Sequence, residues 1–398
     1  MRTLLTFGLS ALVAIASSTG ANETVDQGRE LATSGLAFLQ QQQQPDGTWQ
    51  ADERVPPAVT ALALRAFVGN DAYAPDSPLV RRGFDALVAQ QVEDGGIYDD
   101  LLANYNTAIS TTALAEARRK AGDDRYTDTI DAAVAYLRRL QWTPETQADF
   151  EGEELSQSVS GEDDPFFGGW GYGGRSRGTG RPDLSNAAMA LEALHEAGVP
   201  SDDPAFERAR MFVSRLQNRS ESNDQPWAGN DGGFVYSPDE DRSGESFAGE
   251  TTTPDGDRRL RSYGSMTYAG LKSMIYAGLD ADDPRVLAAV AWAGDNWTLD
   301  ANPGMRLASE NQAEWGLFYY YLMVARSLDA YDQPVLDTID GPVDWRLALI
   351  DALAQRQNTD GSWSGNPKWR ENDPTMVTAY SVIALNAALK DLAEHPPE

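Results

Sequence analysis

Carboxylates stand beside aromatic residues in three segments of the chain, each where an apolar helix is predicted to begin. These carboxylates are Asp183, Glu314 and Asp373. A carboxylate among aromatic rings suits acid-initiated isomerisation of a polyene, because π faces stabilise cationic character. It also suits cleavage of a sugar polymer by a paired acid and base. We predict all three as catalytic residues, although Asp183 and Asp373 equally fit helix N-caps.

The candidate ligand-binding residues come from the same segments. They share a position between a polar loop and the first turns of a helix: Trp170, Tyr172, Asn186, Arg261, Tyr263, Tyr268, Trp315, Tyr319, Tyr320, Trp369 and Tyr380. Stacking on an apolar ligand or a sugar ring is the function we predict for them. Core packing is the alternative for an aromatic-rich helix such as the one that begins near Trp315.

Composition excludes several other kinds of site. The chain of 398 residues has no cysteine and only two histidines, His195 and His395. Disulfides, thiol nucleophiles and thiolate zinc sites are therefore excluded, and a multi-histidine metal centre cannot be built. We predict neither a metal nor a cofactor. The formal net charge of −29 argues against nucleic acid and anionic membranes as partners, since both require a basic surface.

The first residues resemble an export signal. Arg2 precedes the apolar run LLTFGLSALVAIA, and small residues follow it. This order is typical of a secretory signal peptide, which we place at 1–21 with cleavage near Ala21 and with Ala16 as the alternative position. An uncleaved anchor is the alternative, but the run is short for a membrane span. We expect the mature chain to be exported, either to a periplasm or outside the cell, without stable membrane insertion.

A Gly-rich phrase recurs along the rest of the chain. Its copies include QQPDGTW, QVEDGGI, FFGGWGYGG, NDGGFVY and QNTDGSW, with a degenerate copy, NPGM, in the fifth position. We take Gly169 as the anchoring glycine of the third copy. Each copy lies between two helix-period segments, which divides 22–398 into six helical hairpins. The repeats span roughly 27–69, 78–122, 127–198, 204–279, 284–331 and 343–390.

Six hairpins predict an all-α ring. The second helix of each hairpin is the more apolar and should be the more buried, as in a two-layer α/α toroid of six inner and six outer helices. An open solenoid is the alternative, but it would need polar capping repeats. Two long insertions, 143–182 and 219–262, both fall where inner helices begin. That end is therefore the predicted mouth of a central cavity.

The repeat resembles that of squalene and oxidosqualene cyclases, shared in looser form by protein prenyltransferase β subunits. Gln43, Gly47 and Trp49 fit Gln-x-x-x-Gly-x-Trp, as do the residues at 357, 361 and 363, and the resemblance covers the whole mature chain. It implies a terpenoid-cyclase-type toroid with an apolar ligand. The Gln and Trp side chains are predicted to be structural, with Trp packing between repeats.

Departures from these families narrow the implied activity. Prenyltransferases hold zinc with a cysteine, which this chain lacks. The cyclases use the middle Asp of an Asp-x-Asp-Asp motif as their acid, and Asp280, Asp282 and Asp283 match it here. Because Pro284 follows, we interpret this copy as a helix N-cap.

Three functions stay open from the sequence. The first is binding or isomerisation of a small apolar, terpenoid-like ligand in the central cavity. The second is carbohydrate binding or cleavage, in which the ligand is an oligomer. The third is a non-catalytic scaffold for protein interaction.

Overall fold

The computed structural model describes residues 7–50, 56–99, 101–148, 159–173, 180–238 and 246–397. In chain order its α-helices are α1 (Phe7–Gln42), α2 (Pro56–Val68), α3 (Pro78–Val88), α4 (Ala103–Ala121), α5 (Thr127–Leu140), α6 (Pro144–Ala148), α7 (Leu184–Glu196), α8 (Pro204–Ser214), α9 (Gly264–Tyr276), α10 (Pro284–Asp295), α11 (Leu317–Tyr331), α12 (Trp345–Ala354) and α13 (Pro374–Glu394). Two antiparallel hairpins join β1 (Glu250–Thr252) to β2 (Arg258–Leu260) and β3 (Val335–Thr338) to β4 (Gly341–Asp344).

The helices form a closed two-layer ring. Helices α2, α4, α7, α9, α11 and α13 each pack against the next one in this series, and α13 packs back against α2. The outer helices α1, α3, α5, α8, α10 and α12 cover them, and α1 contacts both α12 and α13. This closure confirms the predicted α/α toroid and rules out the open solenoid. The inner helices are buried on nearly every side, as their apolar composition predicts.

A glutamine at the end of an outer helix joins neighbouring hairpins. The Gln43 amide donates to the carbonyl oxygens of Gly47 and Leu79, at 3.1 and 3.0 Å. The same two-carbonyl pattern recurs at Gln91, Gln141, Gln217 and Gln357. In the sixth hairpin Gln357 reaches Leu31 of α1 at 3.1 Å, which closes the ring. These bonds tie the turn after one outer helix to the next outer helix around the ring.

The glycine that anchors the third copy is Gly168, not Gly169. The backbone of Gly168 has a φ of +82°, and its carbonyl accepts the Gln141 amide. A Cβ there would lie 2.1 Å from the Arg208 carbonyl oxygen, so only glycine fits. In the fifth hairpin Gly304 keeps a positive φ but approaches Ser262 instead of an outer helix. That copy is therefore not equivalent to the others.

The N-terminal helix α1 runs through part of the predicted signal peptide. Residues 1–6 of that segment lie outside the described residues, and the export signal stays a prediction. Over the described chain, none of the helices combines the length and the apolar character that crossing a membrane would require.

Candidate active site

A central cavity opens among the N-terminal ends of the inner helices. Its volume is about 380 Å³, within the range of small-molecule sites. Its lining side chains come from the first turns of all six inner helices, from both insertions and from the loop before α13. Tyr172 and Trp369 lie at its entrance, where they are 38% and 41% exposed. The cavity therefore lies at the end that the insertions predicted.

The cavity wall is mostly aromatic and aliphatic, and its hydroxyl groups bond to one another. Tyr105 and Tyr380 share a hydrogen bond of 3.1 Å. The Ser185 and Tyr319 hydroxyls lie 3.0 Å apart, and those of Tyr172 and Tyr236 lie 3.2 Å apart. Aliphatic side chains form much of the remaining wall: Ala58, Val59, Leu62, Leu102, Met266 and Met376. The charged Arg370, next to Glu371 in the sequence, also lines the cavity. Because these hydroxyls already have partners, the wall favours an apolar ligand.

A buried cluster of charges lies between the inner helices beyond the cavity, in their C-terminal halves. Glu192 of α7 accepts hydrogen bonds from Lys272, Arg65 and Arg326, at 2.5, 2.7 and 3.2 Å. Glu116 of α4 binds Arg65 at 2.9 Å, and Arg326 reaches Glu196 at 3.1 Å. Five inner helices thus join across the ring axis. The central cavity therefore has an open end at the N-termini and an ion-paired end at the C-terminal halves.

Glu371 is the carboxylate that lines the cavity. It is buried, and its Oε1 accepts the Tyr319 backbone N–H at 2.7 Å, at the start of α11. Among the described residues, none makes a hydrogen bond to its Oε2. Burial raises the pKa of this carboxyl to about 7, although backbone N–H groups of Tyr319 and its neighbours partly offset that effect. An appreciable fraction of Glu371 is therefore protonated near pH 7, and its anion would be held by the N-terminus of α11.

A second buried carboxylate, Asp183, lies directly behind the cavity wall. It caps α7, where its side chain accepts the Asn186 backbone N–H at 2.9 Å and the Asn186 amide at 2.8 Å. The Tyr236 hydroxyl also bonds to it. Burial raises the pKa of Asp183 to about 7 despite these bonds. Asp183 itself does not line the cavity, whereas Tyr172 and Tyr236 in front of it do.

The three predicted carboxylates do not converge on the cavity as the sequence suggested. Glu314 is exposed to solvent, because the chain turns at Gly316 before α11 begins. Asp373 caps α13 by accepting the backbone N–H groups of Thr375 and Met376. Asp183 is a cap as well, but a fully buried one. The carboxylate that does line the cavity, Glu371, was not among the predicted residues.

The predicted ligand-binding residues divide into two groups. Five line the cavity: Tyr172, Tyr263, Tyr319, Trp369 and Tyr380. Six do not: Trp170, Asn186, Arg261, Tyr268, Trp315 and Tyr320. Trp170 donates its indole N–H to the Leu137 carbonyl at 2.8 Å, as Trp49 does to Leu39 and Trp363 to Leu353. It is therefore a structural residue of the repeat.

The other residues outside the cavity have structural contacts. Tyr320 donates to the Thr298 carbonyl at 2.8 Å and packs edge-on against Tyr268. Arg261 reaches the Leu307 carbonyl at 3.3 Å. Asn186 bridges Asp183 and Asn104. Residues that sequence reasoning missed include Tyr105, Tyr236, Phe247 and Glu371, all of which line the cavity.

Within the described part of the chain, no three His, Cys, Asp or Glu side chains cluster in a way that could hold a metal ion.

Comparisons with known proteins find similarity of fold without similarity of sequence. No family model matches the chain, and no curated protein does. The apo structure of the type II terpene cyclase MstE from Scytonema superposes with a TM-score of 0.52 at 14% identity, covering 92% of this chain and 100% of that one. A variant of MstE in complex with its substrate, geranylgeranyl dihydroxybenzoate, gives 0.52 at 15% identity, with 93% and 99% coverage.

A glycoside hydrolase shares the same architecture. The alpha-1,6-mannanase GH76A of a Salegentibacter species gives a TM-score of 0.53 at 10% identity, covering 92% of this chain and 99% of that one. At such low identities these matches establish the α/α toroid alone. The chemistry of this chain has to be argued from its own cavity.

Proposed function

We propose that the chain binds a linear polyprenyl-type ligand in the central cavity and that Glu371 protonates one of its carbon–carbon double bonds. The observation that carries this proposal is Glu371 itself, a buried carboxyl on the wall of a largely aromatic and aliphatic cavity, with one oxygen that no described residue hydrogen-bonds. Burial raises the pKa of this carboxyl to about 7, so its protonated form is available as a general acid near neutral pH. A variant of the terpene cyclase MstE, which has the same fold, binds geranylgeranyl dihydroxybenzoate as its substrate, and this supports the ligand class.

The proposed step needs no cofactor. The proton of the Glu371 carboxyl forms a new C–H bond with the π electrons of the alkene, and a carbocation remains on the neighbouring carbon. The carboxylate left behind accepts the Tyr319 N–H at the N-terminus of α11, where a negative charge is favoured. Tyr105, Tyr319 and Tyr380 present aromatic rings to the cavity, and such rings stabilise a nearby cation. The Glu371 carboxylate then takes a proton from a carbon adjacent to the cation, and the electrons of that C–H bond form a new double bond, which completes an isomerisation.

The carbohydrate alternative fits this cavity less well. Glycoside cleavage generally uses two carboxyl groups that flank the bond, about 5–10 Å apart. Among the described lining residues, Glu371 is the single carboxylate. Six hydroxyl groups of the wall are paired with one another, and each pair uses one of its two O–H donors. Export of the protein rests on the N-terminal sequence, and we include it in the proposal on that basis.

The test compares Glu371→Gln with the wild type on geraniol, farnesol, geranylgeraniol and squalene. Glutamine keeps the size and the hydrogen bond to α11 but cannot donate a proton as an acid. We expect the wild type to convert at least one of these compounds and Glu371→Gln to bind it without converting it. Glu310→Gln is the matched control, because the Glu310 side chain is 81% exposed. Equal turnover by Glu371→Gln and wild type would refute the proposal.

A further inference from the structure

Two tyrosine hydroxyls of the cavity wall bond to each other and to no other described group. They belong to Tyr105, in the first turn of α4, and to Tyr380, in the second turn of α13, and their oxygens lie 3.1 Å apart. Both helices pack against α2, and the α2 residues Ala58, Val59 and Leu62 line the same cavity. The hydrogen bond between the two tyrosines therefore crosses the cavity side of α2.

A count of protons shows that this pair has an unused donor. A tyrosine hydroxyl has one proton and two acceptor lone pairs, so the bond between Tyr105 and Tyr380 uses one of the two protons. Burial raises the pKa of both tyrosines, so both keep their protons at neutral pH. Among the described residues, none accepts the second proton. Because both side chains line the cavity, that proton can be donated to a ligand.

The other two hydroxyl pairs of the wall differ from this one. In the pair of Tyr172 and Tyr236, Tyr236 also bonds to Asp183. In the pair of Ser185 and Tyr319, the phenol is the stronger donor, so Tyr319 donates and the remaining proton belongs to the serine. A serine hydroxyl rotates readily, whereas a phenol proton stays in the plane of its ring. The pair on α4 and α13 is therefore the one with a spare donor in a fixed position.

We propose that Tyr105 and Tyr380 together bind an oxygen of the ligand. The polyprenyl ligand, whose class this inference takes from the proposed function, is then an alcohol, ether or ketone rather than a hydrocarbon such as squalene. The rest of the wall is largely aromatic and aliphatic, which suits a hydrocarbon chain with a single oxygen. A ligand without that oxygen leaves a donor of the wall unpaired, and this costs binding free energy.

The oxygen site lies close to the proposed acid. The ring of Tyr380 packs edge-on against that of Tyr319, with 6.3 Å between the ring centroids. The backbone N–H of Tyr319 in turn donates to Glu371. A bound oxygen therefore also sets how the chain lies against the acid, so Tyr105 and Tyr380 act as positioning residues in the proposed reaction.

The test measures binding of saturated compounds, which have no double bond for Glu371 to protonate. The probes are tetrahydrogeraniol, its methyl ether, and dimethyloctane, the hydrocarbon that lacks the hydroxyl group. Binding to the full chain is followed by tryptophan fluorescence, because Trp369 lines the cavity. In the double variant Tyr105→Phe with Tyr380→Phe, we expect the Kd of the alcohol and of the ether to rise about tenfold. The Kd of the hydrocarbon should change by less than about threefold.

The single variants separate a donor role from a structural one. Tyr105→Phe leaves the Tyr380 hydroxyl free to donate its proton, and Tyr380→Phe does the same for Tyr105. Each single variant should therefore weaken binding of the alcohol by less than about threefold, well short of the double variant. Tyr268→Phe is the matched control, because Tyr268 is buried outside the cavity, and it should leave all three Kd values unchanged.

The inference is overturned if the double variant binds the alcohol as the wild type does, or loses the hydrocarbon to the same extent. Thermal unfolding of each variant shows whether the ring is intact. If the double variant does not fold, the ether decides in the wild type, because an ether accepts a hydrogen bond but cannot donate one. Alcohol and ether should bind within about threefold of each other. An ether that binds about tenfold more weakly would overturn the inference, since the ligand would then be the donor.

The oxygen site and the proposed function fail in different ways. If the saturated probes bind as expected but the wild type converts none of geraniol, farnesol, geranylgeraniol and squalene, the oxygen site stands and the proposed function is overturned. If Glu371→Gln abolishes turnover but the double variant binds the saturated alcohol like the wild type, the proposed function stands and the oxygen site is overturned.

Discussion

Glu192 is the carboxylate at the centre of the buried charge cluster. Replacing it by glutamine measures how much its charge contributes to the stability of the ring. Its carboxylate accepts bonds from Lys272, Arg65 and Arg326. Burial alone would raise the pKa of Glu192, but these three cations hold it well below its usual range. The residue is therefore ionised at neutral pH. Glutamine preserves its shape, removes the charge and replaces one acceptor oxygen by an NH₂ group.

The three cations differ in how many ion-pair partners they keep in this variant. Arg65 keeps two bonds to Glu116, at 2.9 and 3.0 Å, and Arg326 keeps Glu196 at 3.1 Å. Lys272 is fully buried, and Glu192 is its one ion-pair partner among the described residues. Removing one partner of a buried pair costs about 3–5 kcal/mol, because an uncompensated charge is left behind. We therefore expect Glu192→Gln to lower the free energy of unfolding by about 3–5 kcal/mol.

Urea unfolding followed by far-ultraviolet circular dichroism measures this loss. Glu310→Gln breaks an exposed pair with Arg306 and should change the free energy by less than about 1 kcal/mol. Combining Glu192→Gln with Lys272→Met removes both charges, so the double variant should lose less than the sum of the single variants, by about 0.5–3 kcal/mol. The reasoning would be refuted if the double variant lost as much free energy of unfolding as the two single variants together. It would also be refuted if Glu192→Gln were as stable as Glu310→Gln.

Two further predictions concern the acid and the ring. Because the protonated form of Glu371 is the donor and burial raises its pKa to about 7, kcat should fall as the pH rises through about 7 in a steady-state pH profile. A flat profile would argue against Glu371 as the acid. Gly361→Ala should destabilise the protein by about 1–3 kcal/mol more than Gly256→Ala in urea unfolding. Both glycines have a positive φ, but a Cβ at 361 would lie 2.6 Å from the Ser34 carbonyl oxygen, whereas position 256 is open. Equal losses would show that this contact between the first and sixth hairpins is unimportant.

The fold was predictable because the residues that define each repeat lie close together in the sequence. Each hairpin needs a glutamine at the end of its outer helix and a glycine that permits close approach to the next outer helix, and both are visible at fixed spacing. In the third hairpin an insertion separates Gln141 from Gly168, and this obscured the register. The Gly-x-Trp pattern that ends in Trp170 is intact there, and it could have identified Trp170 as structural.

The buried charge cluster also left a signal in the sequence. Arg65, Glu192 and Lys272 each stand alone in an apolar helical segment, where a single charge usually needs a buried partner. What the sequence cannot supply is the pairing, because the partners lie on different inner helices. Ring closure brings them together across the axis.

Glu371 could not be recognised from its neighbours in the sequence. It lies in a polar loop, WREND, where a carboxylate would ordinarily be solvated. Its burial depends on α11, which begins more than 50 residues earlier in the chain. Asp183 and Asp373 each stand directly before a helix-period segment, which is the sequence pattern of an N-cap. The structure places both at helix starts.

The most direct test of the account is deuterium incorporation during turnover. The full chain is incubated in D₂O with geranylgeraniol and the other three probes, and the products are analysed by mass spectrometry. If Glu371 protonates the alkene, its exchangeable deuteron becomes a carbon-bound deuterium, so wild-type product gains one deuterium and Glu371→Gln yields none. Product without deuterium from the wild type, or equal labelled product from Glu371→Gln, would contradict the assignment of Glu371 as the acid.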